Sequence, residues 1–406
     1  MPAPQAPGSM GRAGRGLLGL GIVLISFNLR PIFSSLSAVL PDAIHEFDLS
    51  PAFASLVTTL PVAALGLFAP LAPILARRFG IERVLLGLLV VLGVGTSLRG
   101  AGAPWTLLIG SILAGGAISI GNVLMPSLIK RDFPDRVALM TGLFTMALCG
   151  GAALAAGVTA PMAVRFGSWH SALAIWAAPA VVAALVWLPQ VLQSGRAEFR
   201  PRSKLGGIWR DPLAWQVTLF MGLQSAFAYS VFGWLAPILR WRGLSGIEAG
   251  FVVSMSVLVQ TASCLLAPAV ALRGRDQRIV NATLVAFALV GLLGCLYAPL
   301  WSVWGWAVLQ GIGQGSLIAV AMTVIVLRSR TPDIAAQLSS MAQTVGYLLA
   351  ATGPLIVGLL AGISGSFTVT GAYFVLLGIA AAAAGIGAGR ARYVLPHLVA
   401  DKETAA

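Results

Sequence analysis

The 406 residues are 58% hydrophobic and only 10% charged. A water-soluble fold needs a far larger polar share to cover its surface, so this composition excludes a soluble globular domain. The formal net charge of +13 is not a nucleic-acid footprint, because the basic residues sit in short segments between long apolar stretches.

Residues 1–15, rich in proline and glycine, predict a short disordered cytoplasmic tail. Beyond them the chain offers twelve stretches of the roughly 20 apolar residues that cross a hydrocarbon core of about 30 Å. They lie at about 16–41, 51–76, 81–101, 104–129, 137–164, 170–192, 212–239, 247–272, 279–298, 302–327, 335–361 and 367–389. The first is too long for a signal-peptide core and lacks a clear cleavage site, so it is expected to be retained. No segment of about ten residues alternates in polarity as a membrane barrel strand would. With the N-terminus inside, the inner segments hold twenty-one basic residues and the outer ones four, Arg99, Arg165, Arg240 and Arg242. That asymmetry predicts both termini in the cytoplasm.

The polar break at 193–211, a basic cytoplasmic linker, separates two sets of six spans, 16–192 and 212–389, followed by a tail at 390–406. The sets resemble each other. A shift of 195 places Leu71-Ala72-Pro73 on Leu266-Ala267-Pro268, and Arg78 and Arg83 on Arg273 and Arg278. A shift of 198 pairs Gly115 with Gly313 and Pro134-Asp135 with Pro332-Asp333. Two parallel six-helix repeats resemble the major facilitator superfamily, an all-α membrane fold of two pseudo-symmetric bundles with the site between them near the midplane. Arg77, Arg78, Gly80 and Arg83 fall on that superfamily's loop signature between its second and third helices, implying a gating role. Arg77 stands where the signature has aspartate, a departure from its usual acid latch.

All thirteen acids and all three histidines lie in loops, in tails or at span ends. A proton-driven transporter commonly carries a titratable group inside the membrane, so coupling through a protein carboxylate or histidine is not expected. Cys149, Cys264 and Cys295 lie in apolar spans without metal-type spacing and read as packing residues. No phosphate loop, metal cluster or cofactor motif is present, and no cluster of His, Asp, Glu, Cys or Ser near an interface suggests a membrane enzyme.

Against this background Arg30 stands at the middle of the first span. An arginine at a helix centre costs roughly 2.5–3.5 kcal/mol. Pro31 has no amide hydrogen, so the carbonyl of Phe27 loses its helical partner and the helix is expected to bend. Arg30 is read either as an anion contact or as a cation neutralised by freed carbonyls at the kink. The absence of an intramembrane carboxylate favours the anion. Asn28, Asn122, Gln224, Gln314, Gln343 and Tyr347 are the expected lining groups, each equally able to serve as a helix–helix hydrogen bond. Phe33 and Phe227 either wall the site or pack.

Asn28-Leu29-Arg30-Pro31, Thr58-Thr59-Leu60-Pro61 and the run from Gly121 to Pro134 resemble the cyanate porter family within that superfamily. The resemblance implies a monomeric carrier of a small solute such as cyanate. A drug exporter of the nitroimidazole type in the same fold is the alternative; nucleic acid is not an expected partner.

Overall fold

The computed structural model describes residues 12–193, 207–271, 273–274 and 276–395. Most of the expected linker, with Arg196, Arg200, Arg202 and Lys204, and the tail beyond residue 395 lie outside the described residues.

Among the described residues all regular structure is helical. The α-helices are α1 (Arg12–Asn28), α2 (Pro31–Phe47), α3 (Pro51–Phe68), α4 (Leu71–Phe79), α5 (Ile81–Leu98), α6 (Pro104–Asp132), α7 (Val137–Phe166), α8 (Trp169–Ala174), α9 (Ala178–Gln193), α10 (Pro212–Trp241), α11 (Gly246–Ala271), α12 (Arg278–Tyr297), α13 (Val303–Leu327), α14 (Pro332–Ser364) and α15 (Thr370–Ala388). They supply twelve segments long and apolar enough to cross a membrane. α1 with α2 forms the first and α8 with α9 the sixth, while α4 continues the second.

Three differences from the predicted spans have local causes. The first span reaches Phe47, because helix α2 tolerates Pro41 and ends only where Asp48 turns left-handed, φ 46°. Asp42, His45 and Glu46 therefore ride on its last turns. The second span breaks at Ala69-Pro70, and Ser119 of α6 donates to the carbonyl of Leu65 at 2.6 Å just before the break. The first span breaks between Asn28 and Pro31, where Arg30 leaves helical geometry at φ −124°. This is the interruption that the missing amide hydrogen of Pro31 predicts.

The two sets of six spans repeat one packing pattern. In the first, α2 packs on α7, α3 and α5 on α6, and α1 and α5 on α9; in the second, α10 packs on α14, α11 and α12 on α13, and α10 and α12 on α15. Contacts between the sets obey the same symmetry, with α3 against α14, α11 against α7, and α10 against α2. Glycines permit the closest crossings. At Gly95 and Gly110, between α5 and α6, an added Cβ would stand 2.8 and 2.4 Å from the facing backbone oxygen. Gly66 meets Thr344 between the halves at 2.7 Å on the same measure. Small residues at such crossings let backbones approach without an apolar driving force.

The outer surface is apolar, with Leu185, Leu266, Ile279, Ile363 and Leu376 all exposed. Exposed Trp105, Trp241, Trp301 and Trp304 gather at one set of span ends, and Trp209 and Trp215 at the other. Tryptophans at both boundaries are the pattern of a chain bathed in lipid.

Candidate functional site

The break in the first span presents Arg30 to the opposite half. Gly151 of α7 sits against the freed carbonyl of Phe27, where an added Cβ would be 2.2 Å from the oxygen. Only glycine allows α7 to close on the break. The half-buried guanidinium lies 5.7 Å from the ring centre of Tyr229 and 5.4 Å from that of Phe232, both on α10. Tyr229 in turn meets Phe33 of α2 at 5.2 Å and Tyr347 of α14 at 6.1 Å. Cys149 of α7 and Cys264 of α11 also lie within electrostatic reach of Arg30. The site thus draws on the first, fifth, seventh, eighth and eleventh spans.

Among the described residues Arg30 has no ion pair and no hydrogen bond from its side chain. Two cation–π contacts, each about 0.5–2 kcal/mol, offset part of the burial cost. They give no acceptor to the five N–H donors of the fork. Freed carbonyls at the kink do not fill that role either, since none lies in hydrogen-bonding position to the guanidinium.

The other expected lining groups are distributed unevenly. Tyr347 joins the aromatic wall. Asn28 is buried and spends its amide donors on Leu24 O at 2.8 Å and Pro179 O at 3.1 Å, tying the break to α9. Gln224 and Gln314 bond each other, Nε2 of Gln314 lying 3.3 Å from Oε1 of Gln224, so α10 and α13 are joined inside the second half. Gln343 donates to Ser339 at 3.0 Å on its own helix. Asn122 is half-buried on α6, next to Gly121, which faces Leu29 at the break. Phe33 walls the site, whereas Phe227 stacks on Phe374 within the second half at 6.4 Å. Tyr229 and Phe232 were not among the expected lining groups. Their spacing of three on α10 put them on one face, but apolar spans offer many such pairs.

A small cavity between the halves continues from this wall, lined by Phe33, Leu36, Thr58, Ser111 and Tyr229 among others. A larger one of about 630 Å³ lies at the span ends remote from the termini, lined by Asp42, Glu46, Trp169, His170 and Arg240. There the halves are joined: Arg240 of α10 grips Asp42 of α2 through both oxygens, at 2.6 and 2.8 Å. Glu46 accepts from Trp169 Nε1 at 2.5 Å and meets His170 at 3.0 Å.

At the terminus-bearing ends each half is stapled to itself. Glu82, buried at the start of α5, pairs with Arg131 of α6 at 2.5 Å. Gln277, one residue before α12, accepts from Arg328 at the end of α13. The second staple repeats the first with a neutral partner. Burial pulls the Arg328 guanidinium below its ordinary pKa. Arg77, Arg78 and Arg83 are exposed around this loop, and Gly80 links α4 to α5 at φ 85°, a left-handed backbone suited to glycine. The loop's charge partnership is therefore Glu82 with Arg131, inside one half. Among the described residues no ion pair crosses between the halves at this end.

Two pseudo-symmetric bundles enclosing a site between them are the architecture of a secondary transporter. Residues 18–289 match the Major Facilitator Superfamily, and the chain belongs to that family. It is 40% identical to an uncharacterized transporter, YycB, of Bacillus subtilis, over 92% of this chain and 94% of the relative. It is 37% identical to the 2-nitroimidazole transporter of Escherichia coli, over 94% and 98%. With the cyanate transport protein CynX of Escherichia coli it shares 31% over 88% and 93%. The fold resembles the crystal structure of a bacterial homolog of the human lysosomal transporter Spinster, with a TM-score of 0.79 and 16% identity over 95% of this chain and 99% of that one. The chain is a transporter of a small solute, not an enzyme.

Proposed function

We propose that the solute is a small anion such as cyanate, held at Arg30 while the two halves rock about it. The observation behind this reading is the unpaired guanidinium at a helix break in mid-span, facing aromatic rings of the opposite half. A monovalent anion supplies the missing counter-charge, and the planar fork presents paired donors to it. The names of two relatives, for cyanate and for 2-nitroimidazole, accord with a compact planar solute. The aromatic wall of Phe33, Tyr229, Phe232 and Tyr347 favours a second reading, in which a flat nitroimidazole stacks beside Arg30. Purified protein titrated with sodium cyanate, sodium nitrate and 2-nitroimidazole in a thermal-shift assay separates the two. Saturable stabilisation by cyanate or nitrate is expected. A response to 2-nitroimidazole alone would replace the anion by the aromatic solute.

The protein works as a monomer in the bacterial inner membrane with both termini cytoplasmic. The Asp42–Arg240 end then faces outward, and the two halves meet on that side through this pair. A cysteine placed at residues 362–366 is expected to react with an impermeant maleimide from outside, and one at residues 196–210 only from inside. Reversed accessibility would overturn the orientation.

A further inference from the structure

Arg99 is a second arginine with neither an acid nor a carbonyl as partner among the described residues. It caps the C-terminal end of α5 and is 1% exposed, the most deeply buried guanidinium among the described residues. Its Nη1 lies 3.5 Å from the Ser35 hydroxyl, while Nε and Nη2 are buried with no hydrogen-bond partner. No carboxylate of the described residues forms an ion pair with it. Burying a cation without a counter-charge is strongly unfavourable. The negative end of the α5 dipole offsets some of this, but it gives neither orphaned nitrogen an acceptor.

Further hydroxyls lie on α2 and α6: those of Ser34, next to Ser35 on α2, and of Ser111 on α6 are buried and unpartnered. Gly110, immediately before Ser111, makes room for the arginine: an added Cβ there would stand 3.0 Å from Arg99 Cγ. A guanidinium fork beside serine hydroxyls is a set of N–H and O–H donors that suits a small anion.

We propose that Arg99, Ser35 and Ser111 form a second binding site, for a small monovalent anion, separate from Arg30. Ser35 follows Arg30 by five residues along the first span, about 7.5 Å of helix rise. Ser111 lines the same small cavity as Phe33 and Tyr229. The second site therefore stands beside the central one on the side of the Asp42–Arg240 latch, where an anion passes from one fixed cation to the other. It holds an anion whether or not the transported solute is one.

The test uses full-length protein in detergent, with sodium bromide replacing sodium gluconate at constant ionic strength. Bromide is expected to raise the melting temperature saturably in the Arg30→Gln variant, and adding Arg99→Gln to that variant is expected to abolish the response. Added to Arg30→Gln, Ser35→Ala and Ser111→Ala, which leave the Arg99 guanidinium in place, are each expected to weaken the bromide midpoint about tenfold. A saturable response kept in the Arg30→Gln/Arg99→Gln double variant, or absent from Arg30→Gln, overturns the second site. A response lost in Arg30→Gln yet kept in Arg99→Gln would assign all anion binding to the central site. Should Arg99→Gln fail to fold, unchanged bromide midpoints in both serine variants overturn the proposal.

Discussion

Replacing Arg30 by glutamine is expected to lower anion affinity at least about a hundredfold while leaving the melting temperature unchanged or slightly higher. The two halves of this expectation come from one observation. A guanidinium fork bound to a planar anion makes two charge-assisted hydrogen bonds, each roughly 1.5–3 kcal/mol. Removing them costs the bound state all of that. The protein without solute loses only the contacts to Tyr229 and Phe232 and is relieved of an unpaired, half-buried charge. Lysine keeps the charge but not the fork, so Arg30→Lys is expected to bind about tenfold more weakly and still to bind. Isothermal titration with sodium cyanate and a melting curve on the same samples check both halves. An Arg30→Gln protein that melts lower yet binds as before would show the arginine to be a structural tie at the break. Gly151→Ala offers an independent check. Its methyl would collide with the Phe27 carbonyl, so it is expected to displace the break and weaken binding with Arg30 intact.

Much of this arrangement follows from residues that are conspicuous one at a time. Pro31 has no amide hydrogen, and the first span breaks where that requires it. The repeat that pairs Leu71-Ala72-Pro73 with Leu266-Ala267-Pro268 reappears as one packing pattern used twice. Other features depend on what faces what across the halves, which local sequence does not encode. Asn28 and Gln224 read as lining groups beside Arg30, yet each is hydrogen-bonded within its own half. Arg99 looked like an ordinary charge at a span end, and only the close α5–α6 crossing at Gly95 and Gly110 shows it to be enclosed. Glu82 lay one residue from the arginines of the loop signature. Its pairing with Arg131 depends on α6 ending beside α5, forty-nine residues further on.

The latch between the halves gives the other large effect. Asp42→Asn is expected to shift the resting population toward a state open at the latched end, by about fivefold. Asp42 and Arg240 make the one ion pair that joins the halves among the described residues, and it is bidentate. Their side chains remain 41% and 25% exposed, so solvent screens the pair and its worth is near the upper end of the surface range, about 1 kcal/mol. For a two-state equilibrium that energy corresponds to a factor of about five in population. Because the pair bridges α2 and α10, nearly all of it is lost when the halves separate there, whereas Glu82–Arg131 and Gln277–Arg328 lie within single halves and bias neither state. A cysteine at Leu36, buried beside the small cavity between the halves, reports the opening in a background with Cys149, Cys264 and Cys295 replaced. Its reaction with an impermeant maleimide is expected to quicken about fivefold in Asp42→Asn and in Arg240→Gln. The exchanged pair, Asp42→Arg with Arg240→Asp, is expected to return the rate toward that of the parent, since the contact is re-formed with its ends reversed. Equal labelling in all four proteins would show that apolar packing of α3 on α14 and α7 on α11 holds this end closed without the ion pair.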